Sequence, residues 1–334
     1  MQTSRLDLSA FYRYVHITPL ERFTGPAAKW NTIYLKEENF QKTGAFKVRG
    51  NVAKFLLQEK SFDTVITASS GNHGAGMSHA ASLFGCRAVV VVPEKTSPEK
   101  VKRIRESGAE LIFHGVVYDE AKKYAQDMAA SENLTYIPSF DDPQVIEGNK
   151  TIAREICDQL TVLPDAIFLP IGGGGLVSAH LEMFENKSVR IIGVEEDTAP
   201  AMHDSLTSGK RISLEHADGI ADGMLVKSPG EITFEIAKSH SLEVRKVSAA
   251  DIRRSMKLIF DYCGFKVETA GAASLSAALN DPAGGETCVC VISGGNITTE
   301  DFERHMGLLE REKTEDRIKD KRKNLFLAKK EKTA

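Results

Sequence analysis

Three glycine-containing segments of this sequence each come directly after an apolar, strand-like run. They are Ser69-Ser70-Gly71-Asn72-His73-Gly74, Gly172-Gly173-Gly174-Gly175 and Ser293-Gly294-Gly295-Asn296. In open parallel sheets, ligands bind in loops at the carboxyl ends of the strands, so these segments are candidates for one binding site. Their hydroxyls, amides, imidazole and backbone N–H groups are suited to binding carboxylate or phosphate oxygens.

The tetraglycine loop (Gly172–Gly175) follows the apolar run FLPI and precedes an apolar helical stretch. Its backbone N–H groups, together with a helix N-terminus, can bind a dianionic phosphate without any lysine or arginine. A flexible turn is the alternative, but ordering four consecutive glycines is entropically costly. The spacing matches neither the GxGxxG of dinucleotide-binding folds nor the GxxxxGK[ST] of P-loops. We therefore expect a phosphate site of another kind.

The serine loop (Ser69–Gly74) combines two hydroxyls, an amide and an imidazole at a predicted strand-to-helix turn. This combination is suited to binding a carboxylate or an oxyanion at a helix N-terminus. An Asx or ST turn that only caps the following helix has the same residue types. The loop alone leaves both interpretations open.

A lysine with apolar neighbours is the candidate nucleophile. Lys47 lies between Phe46 and Val48. A desolvated lysine has a lowered pKa and becomes an amine nucleophile, as Schiff-base chemistry requires. A solvated surface lysine at a helix start is the common alternative for such a residue taken by itself.

Composition and charge exclude several classes of protein. The 334 residues carry 43 Lys+Arg against 46 Asp+Glu, a formal net charge of −3, with 42% hydrophobic and 27% charged residues. This balance predicts neither nucleic-acid nor membrane binding. The N-terminus lacks a signal-peptide pattern and the five scattered cysteines form no CxxC pair, so we expect a cytoplasmic protein without a disulfide framework or zinc site.

Short apolar runs alternate with longer amphipathic stretches along the chain. The predicted strands are Thr64–Thr67, Ala88–Val92, Leu111–Phe113, Ala166–Leu169, Arg190–Val194, Glu243–Val247 and Val289–Ile292. Helices are predicted to begin after Ser97 and Ser248 as N-caps. The alternation predicts an α/β fold with open, mostly parallel sheets and flanking helices. The lysine-rich residues from 311 onward are predicted to be solvated.

Four segments taken in order resemble a known family. Besides the three glycine segments there is a lysine segment, Thr43-Gly44-Ala45-Phe46-Lys47-Val48-Arg49-Gly50. Together they resemble the signature segments of fold-type II pyridoxal-phosphate enzymes, within the threonine/serine dehydratase and serine racemase branch. The likeness extends over about residues 15–310. Each segment is weak evidence alone, whereas the ordered set is specific.

The resemblance implies a two-domain fold like that of the tryptophan synthase β subunit. A large cofactor-binding domain would comprise residues 1–55 and 144–315, with a small domain of residues 56–143 inserted in it. Residues 316–334 would form a polar tail. The resemblance also implies a homodimer that acts on a small amino-acid substrate.

The resemblance assigns residues to pyridoxal 5'-phosphate. Lys47 would carry the cofactor through its amine and move the Cα proton of the substrate, while Phe46 would pack beside the cofactor ring. Asn72 would donate a hydrogen bond to the phenolic oxygen, and Ser293 would face the ring nitrogen. The phosphate would be bound by Gly172, Gly173, Gly174 and Gly175.

The same resemblance places the substrate carboxylate on the serine loop. Its binding residues would be Ser69, Ser70, Gly71, Asn72 and His73. Ser70 has the position that serves as the second catalytic base in the racemases.

A divalent or monovalent cation is implied less directly. The racemase branch binds a cation through a Glu, a carbonyl and an Asp six residues after the Glu. Here Glu195 and the Ala199 carbonyl are available, but Ala201 replaces the Asp. A hard cation binds more weakly when one carboxylate ligand is missing.

The resemblance implies an L-threonine/L-serine ammonia-lyase that forms a 2-oxo acid and ammonia by α,β-elimination. A serine racemase and a dehydratase of another β-hydroxy amino acid, such as 3-hydroxyaspartate, are the alternatives. A catalytically silent sensor is disfavoured because Lys47 is intact, and a nicotinamide dehydrogenase because GxGxxG is missing.

Overall fold

Strands and helices alternate along most of the chain. The computed structural model describes residues 6–26, 30–58 and 60–307. In chain order the strands are β1 (Leu20–Arg22), β2 (Trp30–Glu37), β3 (Thr64–Ala68), β4 (Arg87–Val92), β5 (Glu110–Phe113), β6 (Thr135–Tyr136), β7 (Ala166–Pro170), β8 (Arg190–Glu196), β9 (Glu243–Val247) and β10 (Gly285–Ile292). The helices are α1 (Leu8–Phe11), α2 (Lys47–Leu56), α3 (Asn72–Leu83), α4 (Pro98–Glu106), α5 (Tyr118–Ser131), α6 (Pro143–Gln159), α7 (Gly175–Phe184), α8 (Ala201–Ser208), α9 (Glu231–Ser239), α10 (Ala249–Cys263), α11 (Thr269–Asn280) and α12 (Thr299–His305).

The chain divides into two compact units. Met1–Asn296 form the first, which contains both sheets and all four segments identified in the sequence, and Ile297–Ala334 form the second. Within the described part of the second unit, α12 begins after Thr298, whose hydroxyl accepts the Asp301 N–H at 3.0 Å. The predicted polar tail, residues 316–334, lies outside the described residues. No described helix is long and apolar enough to cross a bilayer.

The larger sheet has the strand order β1-β2-β10-β7-β8-β9. Its neighbours are parallel except for β1 and β2, which pair antiparallel. The central strand β7 is buried along its whole length. Continuous apolar strands of this kind are typical of parallel sheets covered by helices on both faces. The predicted α/β class with mostly parallel sheets is therefore confirmed.

The smaller sheet has the order β5-β4-β3-β6, with every pair parallel. Its strands come from residues 64–136, while the strands of the larger sheet come from the chain on either side. This topology is compatible with a small domain of residues 56–143. The boundaries of that domain stay a prediction.

Helices cover both sheets with apolar faces. In the small sheet, α2 and α3 contribute to a core with Val65, Val90 and Val92, and α5 packs its alanines on the opposite face. In the large sheet, α6, α7 and α9 bury their apolar residues against β7 and β10. The predicted start of α10 is confirmed, since the Ser248 hydroxyl accepts the Asp251 N–H at 3.2 Å. Ser97 precedes α4 as predicted, but its side chain makes no capping bond.

Four oppositely charged side chains are buried behind helix α2. Arg49 donates to Glu38 at 2.7 Å through Nε, and its Nη2 donates to Glu155 at 3.0 Å. Lys36 Nζ also donates to Glu155, at 2.6 Å. These side chains are at most 3% exposed. The cluster joins α2 to the end of β2 and to α6. Its two cations and two carboxylates give it no net charge.

Glu155→Gln should therefore destabilise the protein strongly, because Lys36 and Arg49 would share the single carboxylate of Glu38. Breaking a buried pair on one side costs about 3–5 kcal/mol. Urea unfolding followed by circular dichroism measures the change. Glu110→Gln is the matched control, since its 2.6 Å pair with Arg87 is exposed and should contribute little. Equal shifts for the two variants would contradict this account of the cluster.

Candidate active site

The candidate nucleophile Lys47 is the first residue of α2. Its Nζ donates to the Ser139 carbonyl at 2.8 Å and lies 5.0 Å from the centre of the Phe46 ring. Burial lowers the pKa of Lys47 to about 8, and the nearby Glu268 carboxylate partly opposes that shift. A fraction of the amine is therefore neutral near physiological pH, which nucleophilic or basic chemistry requires.

The lysine segment is joined to the SGGN segment (Ser293–Asn296) at the end of β10. The Phe46 N–H donates to the Ser293 carbonyl at 3.0 Å, and the Gly295 N–H donates to Gly44 at 2.9 Å. Ala45 and Gly294 form an antiparallel bridge between these two bonds. Ser293 is 4% exposed. This short ladder fixes Phe46, Lys47 and Ser293 close together.

The serine loop ends at the N-terminus of α3. The Ser69 hydroxyl accepts the Gly71 N–H at 3.2 Å, so the loop contains the local turn that the sequence left open. Gly71 is the N-cap residue of α3, and no side-chain bond caps the helix there. The first amides of α3 are therefore able to bind an anion, and Ser70 is half-buried beside them. A turn and an anion site are compatible here.

His73 contacts protein groups through both ring nitrogens. Its Nε2 lies 3.1 Å from Thr67 Oγ1 and 3.1 Å from the Ile137 carbonyl, and its Nδ1 lies 3.4 Å from Asn51 Nδ2. Burial, and then the charge of Lys47, lowers the pKa of His73 to about 3. The ring is neutral and structural, so only the backbone of His73 remains a candidate for substrate binding.

Asn72 is part of a chain of side-chain amides and a carboxylate. Its Nδ2 donates to Glu268 Oε1 at 2.7 Å, and its Oδ1 accepts from Asn296 Nδ2 at 2.8 Å. Burial raises the pKa of Glu268 to about 7, against the Asn72 hydrogen bond, which lowers it. These contacts connect the serine loop with the SGGN segment and with the start of α11.

The tetraglycine loop connects β7 to α7. Gly174 has a φ of +98°, a backbone conformation that L side chains rarely adopt, and it is the N-cap residue of α7. No side chain caps this helix. Within the described part of the chain, the amides of Gly172–Gly175 have no hydrogen-bond acceptor. Such a set of free amides at a helix N-terminus can bind a phosphate dianion.

Carbonyl contacts fix the tetraglycine loop so that its amides stay free. The Thr233 hydroxyl donates to the Gly173 carbonyl at 2.6 Å, and Asn149 Nδ2 donates to the Gly175 carbonyl at 3.4 Å. The Phe140 ring packs directly against the Cα of Gly173. A β-carbon at Gly173 would collide with that ring.

Glu195 and Ala199, the predicted cation ligands, both accept hydrogen bonds from protein amides. The two Glu195 oxygens accept the Met202 and His203 N–H groups at 2.8 and 2.9 Å, and the Ala199 carbonyl accepts the Ala201 N–H at 3.0 Å. Burial raises the pKa of Glu195 to about 7, although these amides oppose the shift. The described residues contain no group of three or more His, Cys, Asp or Glu side chains that could hold a metal ion.

Several site neighbours were not predicted as site residues. Glu268 precedes α11 and Asn296 ends the SGGN segment, but their contacts with Asn72 span 196 and 224 positions. Ser139 and Phe140, which contact Lys47 and Gly173, carry no pattern that marks them. The sequence therefore indicates candidate chemical groups, but it does not mark the residues that position them.

Gly173→Ala should lower the melting temperature because the new methyl group collides with the Phe140 ring. Adding Phe140→Ala should recover part of that loss, since it removes the obstructing ring. Thermal unfolding of both single variants and the double variant gives the coupling between the two positions. Purely additive losses would show that the loop does not depend on this contact.

Comparisons with known proteins identify the family of the chain. The family described as pyridoxal-phosphate dependent enzyme matches residues 12–294. L-threonine ammonia-lyases of Thermotoga maritima and Geobacter sulfurreducens are 36% and 40% identical to the chain, over 81% and 79% of its length. The biosynthetic L-threonine dehydratase of Pasteurella multocida is 35% identical over 86%. The chain spans 69%, 67% and 58% of these relatives, respectively.

Solved structures show the same fold. Processed threonine deaminase isoform 2 from Solanum lycopersicum superposes with a TM-score of 0.83 at 31% identity, covering 92% of this chain and 90% of that one. Maize serine racemase gives 0.82 at 29% identity, covering 91% and 96%. Because the family match extends over most of the sequence, this chain belongs to the pyridoxal-phosphate-dependent enzymes.

Proposed function

We propose that the chain is an ammonia-lyase that converts L-threonine or L-serine to a 2-oxo acid and ammonia. The observation that carries this proposal is the position of Lys47, whose amine has a lowered pKa and donates to the Ser139 carbonyl, directly after the Phe46 N–H that donates to the Ser293 carbonyl. The relatives named as threonine ammonia-lyases and dehydratases support the choice of substrate.

The residues fit pyridoxal phosphate. The free amides of the tetraglycine loop would hold its phosphate, Lys47 its aldehyde carbon and Phe46 one side of its ring. Asn72 retains an N–H for the phenolic oxygen. Ser293, whose carbonyl accepts the Phe46 N–H, would face the ring nitrogen, as the resemblance implies. The bound cofactor supplies an electron-accepting ring, which makes the Cα proton of an amino acid acidic.

Lys47 would remove that Cα proton once its amine is free and neutral. The substrate carboxylate would bind the first amides of α3, with Ser69, Ser70 and Gly71 around it. This arrangement would fix the Cα–H bond relative to Lys47, and orientation of this kind is a large part of catalysis.

Ser293 favours elimination over racemisation. A serine hydroxyl, unlike a carboxylate, does not stabilise a protonated ring nitrogen, so the ring is a weaker electron acceptor. Loss of the β-hydroxyl, as water after it gains a proton, would then be favoured over return of a proton to Cα. Ser293→Asp should therefore lower the share of elimination in the product mixture.

Serine racemase is the second candidate, and the half-buried Ser70 beside α3 is the observation that favours it. In that reaction the Ser70 hydroxyl would protonate Cα from the face opposite Lys47, as the resemblance to the racemases implies. The structural likeness to maize serine racemase also supports this candidate.

A panel of L- and D-β-hydroxy amino acids tests these alternatives, with 2-oxo acid and product chirality followed together. We expect L-threonine to give 2-oxobutanoate. We expect L-serine to be converted to pyruvate faster than it is converted to D-serine. Lys47→Ala should abolish turnover while the circular dichroism spectrum stays unchanged. Ser70→Ala should remove only D-serine conversion and racemisation. If L-serine gave D-serine faster than pyruvate, the lyase proposal would be wrong and the racemase proposal would take its place.

The reactivity of Lys47 should depend on pH with a midpoint near 8. Only the neutral amine attacks an aldehyde, so the rate at which apo-protein binds pyridoxal phosphate covalently should rise through pH 8 and level off above it. Visible absorbance follows this rate. Glu268→Gln should shift the midpoint downward because the Glu268 charge raises the pKa of Lys47. A midpoint near 10.5, the ordinary lysine value, would contradict the desolvated position.

We propose a homodimer, following the resemblance, and light scattering of the purified protein distinguishes it from a monomer. A cytoplasmic location likewise stays a proposal.

A further inference from the structure

Asn296 has its side-chain amide fixed by two acceptors. Its Nδ2 donates to the Thr43 carbonyl at 2.8 Å and to Asn72 Oδ1 at 2.8 Å. A backbone carbonyl can only accept, so the nitrogen of Asn296 must face Thr43. Because that nitrogen also faces Asn72, the Asn72 atom towards it must be the acceptor, Oδ1.

The orientation of the Asn72 amide follows from that requirement. With Oδ1 towards Asn296, its Nδ2 faces Glu268 Oε1 at 2.7 Å. A rotated amide would place two N–H donors against each other and an oxygen against the Glu268 carboxyl. An NH₂ group has two donors. Glu268 takes one, and the other remains for a ligand.

Packing holds Asn296 at this place. Its side chain lies against the Cα of Gly44, which has a φ of +72°, and a β-carbon there would meet the Asn296 amide carbon at 3.0 Å. The Gly295 N–H donates to the Gly44 carbonyl at 2.9 Å. The lysine segment and the SGGN segment therefore position the Asn296 amide together.

We propose that Asn296 is a positioning residue that fixes the Asn72 amide so that its free N–H faces the phenolic oxygen of pyridoxal phosphate. Asn296 acts through Asn72 and does not itself contact the cofactor. The proposal rests on the role given above to Asn72, and it adds the residue that sets the direction of that donor.

The variant that tests this is Asn296→Asp, because a carboxylate is nearly the same size but cannot donate to Thr43 or Asn72. The probe is pyridoxal phosphate itself, titrated into apo-protein, with the dissociation constant and the visible absorption maximum as readouts. We expect affinity to fall about tenfold, which corresponds to about 1.4 kcal/mol, and the absorption maximum to shift. Asn39→Asp is the matched control, since this substitution adds the same charge beside Gly295 at a side chain with no described hydrogen bond to Asn72.

The variant Asn72→Leu distinguishes failure of the Asn296 proposal from failure of the proposed Asn72 role. If Asn296 acts through Asn72, the double variant Asn296→Asp/Asn72→Leu should bind the cofactor no more weakly than Asn72→Leu alone. Additive losses, or an Asn296→Asp variant with unchanged affinity and absorption, would overturn the positioning role. If Asn72→Leu bound pyridoxal phosphate as tightly as the wild type, the Asn72 role on which the proposal rests would be wrong.

A cofactor analogue methylated at the phenolic oxygen gives a second measurement that does not depend on the fold of one variant. The wild type should bind the parent cofactor more tightly than the analogue, and Asn296→Asp should lose that preference. Asn296→Ser tests the same point with a smaller, neutral side chain. An undiminished preference in both variants would contradict the proposal.

Discussion

The hydrogen bond from the Phe46 N–H to the Ser293 carbonyl joins the two parts of the molecule on which the site depends. It attaches the start of α2 to the end of β10, so that Lys47 and Ser293 are fixed within one short ladder. The buried pairs of Arg49 with Glu38 and Glu155 hold the same helix from behind. Lys47 is therefore the first residue of a helix that is held both at its start and at its buried face, although the segment before it is a loop.

At this site the backbone amides are free to bind a ligand, whereas neighbouring carbonyls and the His73 ring are already hydrogen-bonded to protein groups. Carbonyls of the tetraglycine loop are bonded to Thr233 and Asn149, which leaves the amides for an anion. At α3 the imidazole of His73 is bonded on both sides, and again the amides remain. The two helix N-termini can thus bind anions through backbone amides alone, and we propose a phosphate at α7 and a carboxylate at α3.

Much of the fold and of the chemistry could be predicted because apolar runs and glycine segments are local signals. Strand β2 was missed because it ends in Lys36 and Glu37, charged residues that look exposed in a sequence but are buried here. Lys36 is tolerated only because Glu155 lies 119 positions away along the chain and 2.6 Å away in space. The sequence left the role of the His73 imidazole open for a related reason, since its partner at Ile137 is 64 positions distant.

The central claim is that Lys47 carries the cofactor, and chemical trapping tests it most directly. Borohydride reduction of the holoenzyme followed by peptide mapping should place the pyridoxyl group on the peptide that contains Lys47. Lys47→Arg should yield no labelled peptide after the same treatment. A label on any other lysine, or an equally labelled Lys47→Arg protein, would contradict the account.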